Sequence, residues 1–309
     1  MVLGQEEVDM QSEVDNPKMT IRALAPWFGG KRNMAPVIVK LLGKHRVYWE
    51  PFCGGMSVLL AKPPCVMETV NDLHGDLTNL ARVIQREDMA VALFNRLART
   101  LMSEQLFHEA AERYHKRGYG GDGEPDVDTA YDYCLCAWLG RNGVAGTLSY
   151  NQGFCVRYTA NGGHAAKRFQ SVMESIPAWY NRLRNVTILC RDAFELLPRI
   201  EDKAGTALYV DPPYLVKGAK YVHDFAPQDH ERLAKLLHRF EKARVVLSYY
   251  QHPKLAELYP DWAQHKIEVS KALAHQGSRG QNGVKAVEVL LVNERPGPNG
   301  KLTLFGETP

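Results

Sequence analysis

The run 206–210, Thr-Ala-Leu-Tyr-Val, carries no charge and leads directly into Asp211-Pro212-Pro213-Tyr214. A stretch this short and this apolar is a strand, and two successive prolines stop it at once. Other strands are expected at 46–50, 66–70, 186–190, 244–249, 264–269 and 286–293. Helical spacing is expected at 33–42, 56–61, 167–183, 194–200 and 227–242. Strands that alternate with helices belong to a mostly parallel sheet covered on both faces, so the chain is read as α/β, Rossmann-like and doubly wound. The alternation is interrupted once. Residues 76–137 are helical almost throughout, broken by a Gly-rich loop at 118–125. Residues 140–163 are rich in Gly, Asn, Tyr and Arg, and 147–150 and 154–158 flank Asn151-Gln152-Gly153 as a hairpin.

With 309 residues the chain is long for one domain. The expected layout is a leader at 1–18, a catalytic domain from 19–75 and 166–309, and an inserted recognition region at 76–165. Five acids and no base occupy the first seventeen residues, which excludes a signal peptide. No apolar run approaches the roughly 20 residues that span a bilayer. Cys53, Cys65, Cys134, Cys136, Cys155 and Cys190 form no C-x-x-C pair. They read as reduced thiols of a cytoplasmic protein rather than a disulfide framework or zinc site, and no metal is expected. The net charge of +3 decides nothing about nucleic acid, but its distribution is uneven. Between 141 and 184, Arg141, Arg157, Lys167, Arg168, Arg182 and Arg184 face one acid, Glu174.

The ledge at 211–214 has chemistry of its own. Prolines remove two N–H donors, so the carboxylate of Asp211 and the nearby carbonyls are left as acceptors for an exocyclic amino group, and the Tyr214 ring can stack on a flat base. Three other strands end in polar or special residues: Glu50-Pro51-Phe52-Cys53-Gly54-Gly55, Asn71-Asp72 and Arg191-Asp192. Ligands of open α/β sheets bind beyond such carboxyl ends. Gly54 and Gly55 would admit a ligand close to the backbone, Asp72 would grip ribose hydroxyls, and Asp192 would accept from an adenine amino group. Each of these alone is more often a cap or a solvated loop acid; four together argue for a site. The chain has neither G-x-G-x-x-G nor G-x-x-x-x-G-K-[ST], which disfavours a pyrophosphate cofactor and a nucleotide-dependent oxidoreductase. A nucleoside with a short, uncharged-to-cationic tail fits better, and S-adenosylmethionine answers that description.

The order Pro26-Trp27-Phe28-Gly29-Gly30-Lys31, the Pro51–Gly55 segment, Asn71-Asp72 and Asp211–Tyr214 resembles the Dam-type (D12 class, α-group) DNA adenine-N6 methyltransferases. The segments Arg141-Asn142-Gly143 and Tyr150-Asn151-Gln152-Gly153-Phe154 are similar to that family's R-N-G and Y-N-x-x-G-x-F stretch. The resemblance implies methyl transfer from S-adenosylmethionine to the 6-amino group of an adenine in double-stranded DNA. It implies that Trp27 and Lys31 close over the methionine end of the cofactor. Pro51, Phe52, Cys53, Gly54 and Gly55 would line the pocket, Asp72 would hold the ribose, and Asp192, Ala193 and Phe194 would address the cofactor adenine. Asp211 and the Pro212 carbonyl would accept from the target amino group, with Pro213 stiffening the ledge and Tyr214 stacking on an extruded base. Extrusion is required because the amino group is inaccessible within a paired duplex.

DNA contacts are assigned to Arg141, Asn142, Tyr150, Asn151, Arg157, Lys167 and Arg168, which combine phosphate donors, groups that read base edges and an aromatic wedge. Ser248-Tyr249-Tyr250 is read as a wall of the base pocket, and 275–283 as a loop near the DNA. Pro63-Pro64-Cys65 looks like the nucleophile motif of cytosine carbon-5 methyltransferases, but it precedes the second strand, and a buried thiol explains it better. Cytosine N4 in DNA, adenine in RNA, and an inactive DNA-binding module stay open as alternatives. So do a cognate restriction enzyme as a further partner and a monomeric or weakly dimeric state.

Overall fold

A computed structural model describes residues 19–117, 123–140, 145–147, 153–154, 165–215, 221–270 and 285–294. The chain divides into two compact units. The first comprises Met1–Arg32, Gly54–Ala61 and His74–Cys190; the second comprises Asn33–Cys53, Lys62–Leu73 and Arg191–Pro309.

The second unit is built on strands β1 (Val47–Glu50), β2 (Met67–Asn71), β4 (Thr206–Val210), β5 (Arg244–Tyr250), β6 (Ala263–Ser270) and β7 (Lys285–Val292). Their spatial order is β2-β1-β4-β5-β7-β6. β2, β1, β4 and β5 run parallel, with Val47 opposite both Met67 and Thr206, and β7 lies antiparallel between β5 and β6. Every residue of β4 is buried, as its unbroken apolar run requires of a central parallel strand. Leu208, Val210, Val245, Leu247, Val289 and Leu291 share one face with Leu233, Ala234 and Leu237 of helix α9 (Pro227–Leu237). Helix α1 (Ala35–Leu42) runs against β4 and β5, burying Ile38 and Leu41. The α/β, mostly parallel, Rossmann-like reading therefore holds. Connections leave β1 toward β2 on one side and β4 toward β5 on the other. The topological switch point lies between the carboxyl ends of β1 and β4, where a ligand crevice is expected.

One helix is shorter than its sequence spacing predicts. The helix expected over 227–242 stops at Leu237. The Asp202 carboxylate accepts the backbone N–H groups of Glu241, Lys242 and Ala243 at 2.8–3.1 Å, and this turns the chain into β5. Tertiary hydrogen bonding here replaces the intrahelical pattern that periodicity alone would extend.

The first unit holds α2 (Ser57–Ala61), α3 (Gly75–Gln85), α4 (Glu87–Ala98), α5 (Glu104–Arg117), α6 (Val127–Leu139), α7 (Ala165–Leu183) and the short strand β3 (Thr187–Leu189). Asp126 caps α6 by accepting from Thr129 N at 2.7 Å. The segment after residue 20 is fastened by two buried tryptophans. Trp138 Nε1 donates to the Leu24 carbonyl at 3.1 Å, and Trp179 Nε1 donates to the Ile21 carbonyl at 2.7 Å. The hairpin expected at 147–158 lies largely outside the described residues. Within them, Gly140 and Phe154 form an antiparallel bridge. No described helix is long and apolar enough to cross a membrane.

Candidate active site at the strand ends

At the end of β2, Asn71 acts as a knot. Its backbone carbonyl accepts from Cys53 N at 2.9 Å, and its Nδ2 donates to the carbonyls of Pro51 and Arg191, each at 2.9 Å. Its Oδ1 accepts from Arg191 N at 3.0 Å. One buried carboxamide thus holds the Pro51–Cys53 turn and the Arg191-Asp192 pair together. Asp72, the next residue, is half-buried.

Asp192 caps the short helix α8 (Ala193–Leu196), its Oδ1 accepting from Phe194 N at 2.8 Å. The acid therefore serves as a helix cap. Phe194 stacks on Phe225 with centroids 5.3 Å apart, and Phe225 meets Phe52 edge-on at 5.7 Å. The Arg232 guanidinium lies over the other part of this wall, 4.3 Å from the Phe194 centroid.

At the end of β4 the ledge is part of a cluster of acids and phenols. Tyr214 Oη donates toward Glu288 Oε1 at 2.6 Å and lies 3.1 Å from Asp211 Oδ1. The Tyr250 ring packs edge-on against Tyr214 at 4.8 Å, and Tyr249 is 5.5 Å away. Beneath them Tyr209 Oη shares a 2.8 Å hydrogen bond with Ser248 Oγ, and Tyr48 Oη donates to Glu50 Oε2 at 2.9 Å. Burial pushes the phenols of Tyr48, Tyr209 and Tyr214 well above their ordinary range. Neighbouring carboxylates push the same way: Glu50 for Tyr48, and Asp211 and Glu288 for Tyr209 and Tyr214. All three remain neutral, and Tyr48 and Tyr214 donate to carboxylates.

In the first unit, Trp27 pairs with Ala145 in a parallel bridge, and Phe28 N donates to the Ala145 carbonyl at 3.0 Å. The indole is pressed against two glycines with positive φ, Gly54 (+44°) and Gly146 (+83°). A Cβ on them would fall 2.7 Å from Trp27 Nε1 and 2.5 Å from Trp27 Cζ2. Gly55 abuts the Ala25 carbonyl, 2.9 Å from where a Cβ would stand. What approaches these glycines is thus the chain's own Trp27 motif. Lys31 is 6% exposed, and its Nζ donates to the Gly29 carbonyl at 2.6 Å.

The model of the D12 class N6 adenine-specific DNA methyltransferases matches residues 27–274, most of the chain. The chain belongs to that family. It is a transferase that methylates adenine N6 in DNA. It is similar to the Type II methyltransferase M1.LlaDCHI of Lactococcus lactis subsp. cremoris, with 26% identity over 287 residues, 89% of this chain and 96% of the relative. It is also similar to the DNA adenine methylase of Escherichia coli K12, with 23% identity over 286 residues and the same coverages.

In this D12-class chain the structure brings Pro51, Phe52, Cys53, Asp72, Asp192, Ala193, Phe194 and Asp211–Tyr214 into one unit, and Trp27, Lys31, Gly54 and Gly55 into the other. Of the residues assigned to DNA, Arg141, Asn142, Tyr150, Asn151 and Arg157 lie outside the described residues, as does the loop 275–283. Lys167 is exposed near the start of α7, while Arg168 Nη2 donates to the Trp138 carbonyl at 3.2 Å. Burial raises the Cys65 thiol, half-buried before β2, so it lacks the depressed value of a nucleophile. Sequence reasoning missed Glu288 and Phe225 altogether, and it passed over Asn71 in favour of Asp72. Glu288 had a signal, since it is the one charge inside the run 286–292.

Proposed function

We propose that the chain transfers a methyl group from S-adenosylmethionine to the 6-amino group of an adenine extruded from double-stranded DNA, using the ledge Asp211–Tyr214. The observation that carries this reading is the position of Asp211. It closes a fully buried parallel strand at the switch point and is followed by Pro212 and Pro213, with the Tyr214 hydroxyl 3.1 Å from its carboxylate.

The donor set of the second unit fits the cofactor. Two half-buried carboxylates, Asp72 and Asp192, suit ribose hydroxyls and a purine amino group, and the Phe52–Phe225–Phe194 wall suits a flat, weakly polar ring. Trp27 and Lys31 are assigned to its methionine end, and Pro51, Cys53, Gly54, Gly55 and Ala193 to its surroundings. When bound, S-adenosylmethionine supplies an electrophilic methyl on a sulfonium. The chain supplies positioning. Asp211 and the Pro212 carbonyl accept the two N–H hydrogens of the target amine. Its lone pair, otherwise delocalised into the ring, is thereby favoured as a localised pair turned away from the ledge. Asp211 need not act as a strong base, because the nitrogen becomes acidic once methylated. Tyr214 and Tyr250 offer aromatic surface to the extruded base.

We assign catalysis to 19–75 and 166–309, and DNA reading to 76–165 with Lys167 and Arg168. Arg141, Asn142, Tyr150, Asn151 and Arg157 are its principal contacts. A cognate restriction enzyme is a further companion in this reading. A monomer or weak dimer in the cytoplasm completes the reading.

Incubation with methyl-labelled cofactor and separate DNA and RNA pools, followed by nucleoside analysis, tests the proposal. N6-methyladenine from DNA is expected; label in RNA alone, or in N4-methylcytosine, would overturn it. Asp211→Ala is expected to lose at least about a hundredfold in transfer while cofactor affinity, measured by calorimetry, stays within a few-fold. Equal loss of both would mean that Asp211 holds the cofactor instead.

A further inference from the structure

The ladder between β1 and β2 ends at the pair Glu50–Val70, and Pro51 has no N–H with which to extend it. Past that point the Asn71 side chain takes over. Its two amide hydrogens go to the carbonyl of Pro51, 20 residues away, and to that of Arg191, 120 residues away. Its Oδ1 accepts the Arg191 N–H. Asparagine suits the task because one short planar group offers two donors and an acceptor. Asn71 is 1% exposed, and leaving those carbonyls unmet in so dry a place is costly.

The two segments joined in this way carry the two ends of one aromatic wall. Phe52 follows Pro51. Arg191 and Asp192 lead to Phe194, whose N–H the Asp192 carboxylate accepts at 2.8 Å. The rings meet through Phe225, edge-on to Phe52 at 5.7 Å and stacked on Phe194 at 5.3 Å. The contacts close a circuit: Phe52 to Phe225 to Phe194, back along the chain to Arg191, and through the Asn71 carboxamide to Pro51. Ring pairs tolerate a range of centroid separations, so the ring side of this circuit is adaptable. Hydrogen bonds do not, and the Asn71 side fixes the spacing.

We infer that Asn71 is a positioning residue for the cofactor: by tying Pro51 to Arg191 it sets the spacing between Phe52 and the Asp192–Phe194 pair, where the purine ring of S-adenosylmethionine is received. Its side chain is buried and engaged with backbone, so it acts through these neighbours. Its loss falls on cofactor binding rather than on methyl transfer, because the ledge at Asp211 is set by the end of a different strand, β4. Asn293 supplies a matched control. It follows β7, its Nδ2 donates to the carbonyls of Phe240 and Ala243 at 2.9 and 2.8 Å, and its Oδ1 accepts from Val245 N at 2.8 Å. The same three kinds of bond are made there at the start of β5, the end of the sheet opposite the ledge.

The inference rests on the cofactor wall proposed above, and the test separates the two. Affinity for S-adenosylmethionine is measured by calorimetry for the wild type, Asn71→Ala, Asn71→Ser, Phe52→Ala, the Phe52→Ala/Asn71→Ala double variant and Asn293→Ala. Melting temperature, kcat and the KM values for cofactor and DNA are taken alongside. Asn71→Ser, which keeps a hydroxyl, serves where Asn71→Ala does not fold. Asn71→Ala is expected to weaken cofactor binding about tenfold to a hundredfold and to raise the cofactor KM in step. At saturating cofactor, kcat and the KM for DNA are expected to stay within about threefold. Asn293→Ala is expected to lower the melting temperature comparably while cofactor affinity stays within about twofold. In the Phe52→Ala background the further loss of Asn71 is expected to cost several-fold less than in the wild type, because one end of the wall is already gone. The inference alone would be overturned by full cofactor affinity in a folded Asn71 variant while Phe52→Ala loses it. Equal loss in Asn293→Ala, or an undiminished cost of Asn71→Ala in the Phe52→Ala background, would overturn it too. Full cofactor affinity in Phe52→Ala would overturn the wall, and this inference with it.

Discussion

Single residues in this protein are used for close approach more than for bulk. Gly146 stands at φ +83°, and a Cβ on it would fall 2.5 Å from Cζ2 of the Trp27 indole. An alanine there meets two penalties, a left-handed backbone and a 2.5 Å contact with an aromatic ring that is already wedged against Gly54. Gly146→Ala is therefore expected to lower stability by about 2–3 kcal/mol, read from urea unfolding midpoints. A change below about 0.5 kcal/mol would mean that the indole swings away freely. Asn71 shows the complementary use. One carboxamide makes three hydrogen bonds to backbone and fixes two turns, a role that a residue-by-residue reading of Asn71-Asp72 assigns to neither position.

At the scale of elements, termini are set by partners distant in sequence. α9 ends at Leu237 because Asp202, some forty residues earlier, collects the N–H groups of Glu241, Lys242 and Ala243. Desolvation opposes the ionised form of Asp202. The three backbone donors outweigh it and hold the carboxyl below its usual value of 3.8. The sign follows directly: a depressed folded value means stability that is present above about pH 3.8 and lost as the pH falls through the folded value. Asp202→Ala is expected to cost about 1–2 kcal/mol at neutral pH and almost nothing in strong acid, by thermal melts at both. A cost independent of pH would show that packing rather than charge carries the turn. The strands were legible because their apolar runs are short and end in polar residues. The end of α9 was not, since Asp202 lies outside any window in which helical spacing is read.

Across the whole molecule the carboxyl edge of the sheet gathers Glu50, Asp211 and Glu288 with phenols from β1, β4, β5 and the ledge. Burial raises Tyr48, Tyr209, Tyr214 and Tyr249 well above 10.0, with added pressure from the acids. Unfolded tyrosines lose protons near pH 10, before these folded ones can, so alkali favours unfolding. The contribution of these tyrosines to stability is expected to be level below about pH 10 and to fall above it. Phenolate absorbance from these four tyrosines is expected to appear together with loss of circular dichroism. Their ionisation in the intact fold, ahead of any unfolding, would show the cluster to be open to solvent.

The order of motifs, from Trp27 through Asn71-Asp72 to Asp211–Tyr214, was enough to identify the family, because each motif is local: a strand, its stop and the side chains at the stop. The alternation of strand and helix was likewise enough for the α/β class. What the linear order does not contain is distance. Glu288 lies seventy-four residues from Tyr214 and enters the ledge only because β7 folds back antiparallel against β5. Phe225 reaches Phe52 and Phe194 for the same kind of reason. Gly54 reads in sequence as room for a ligand, and in the fold the Trp27 indole stands against it. Motifs announce the chemistry because they are contiguous in the chain; the groups that tune that chemistry come from elsewhere, and only packing brings them within hydrogen-bond range.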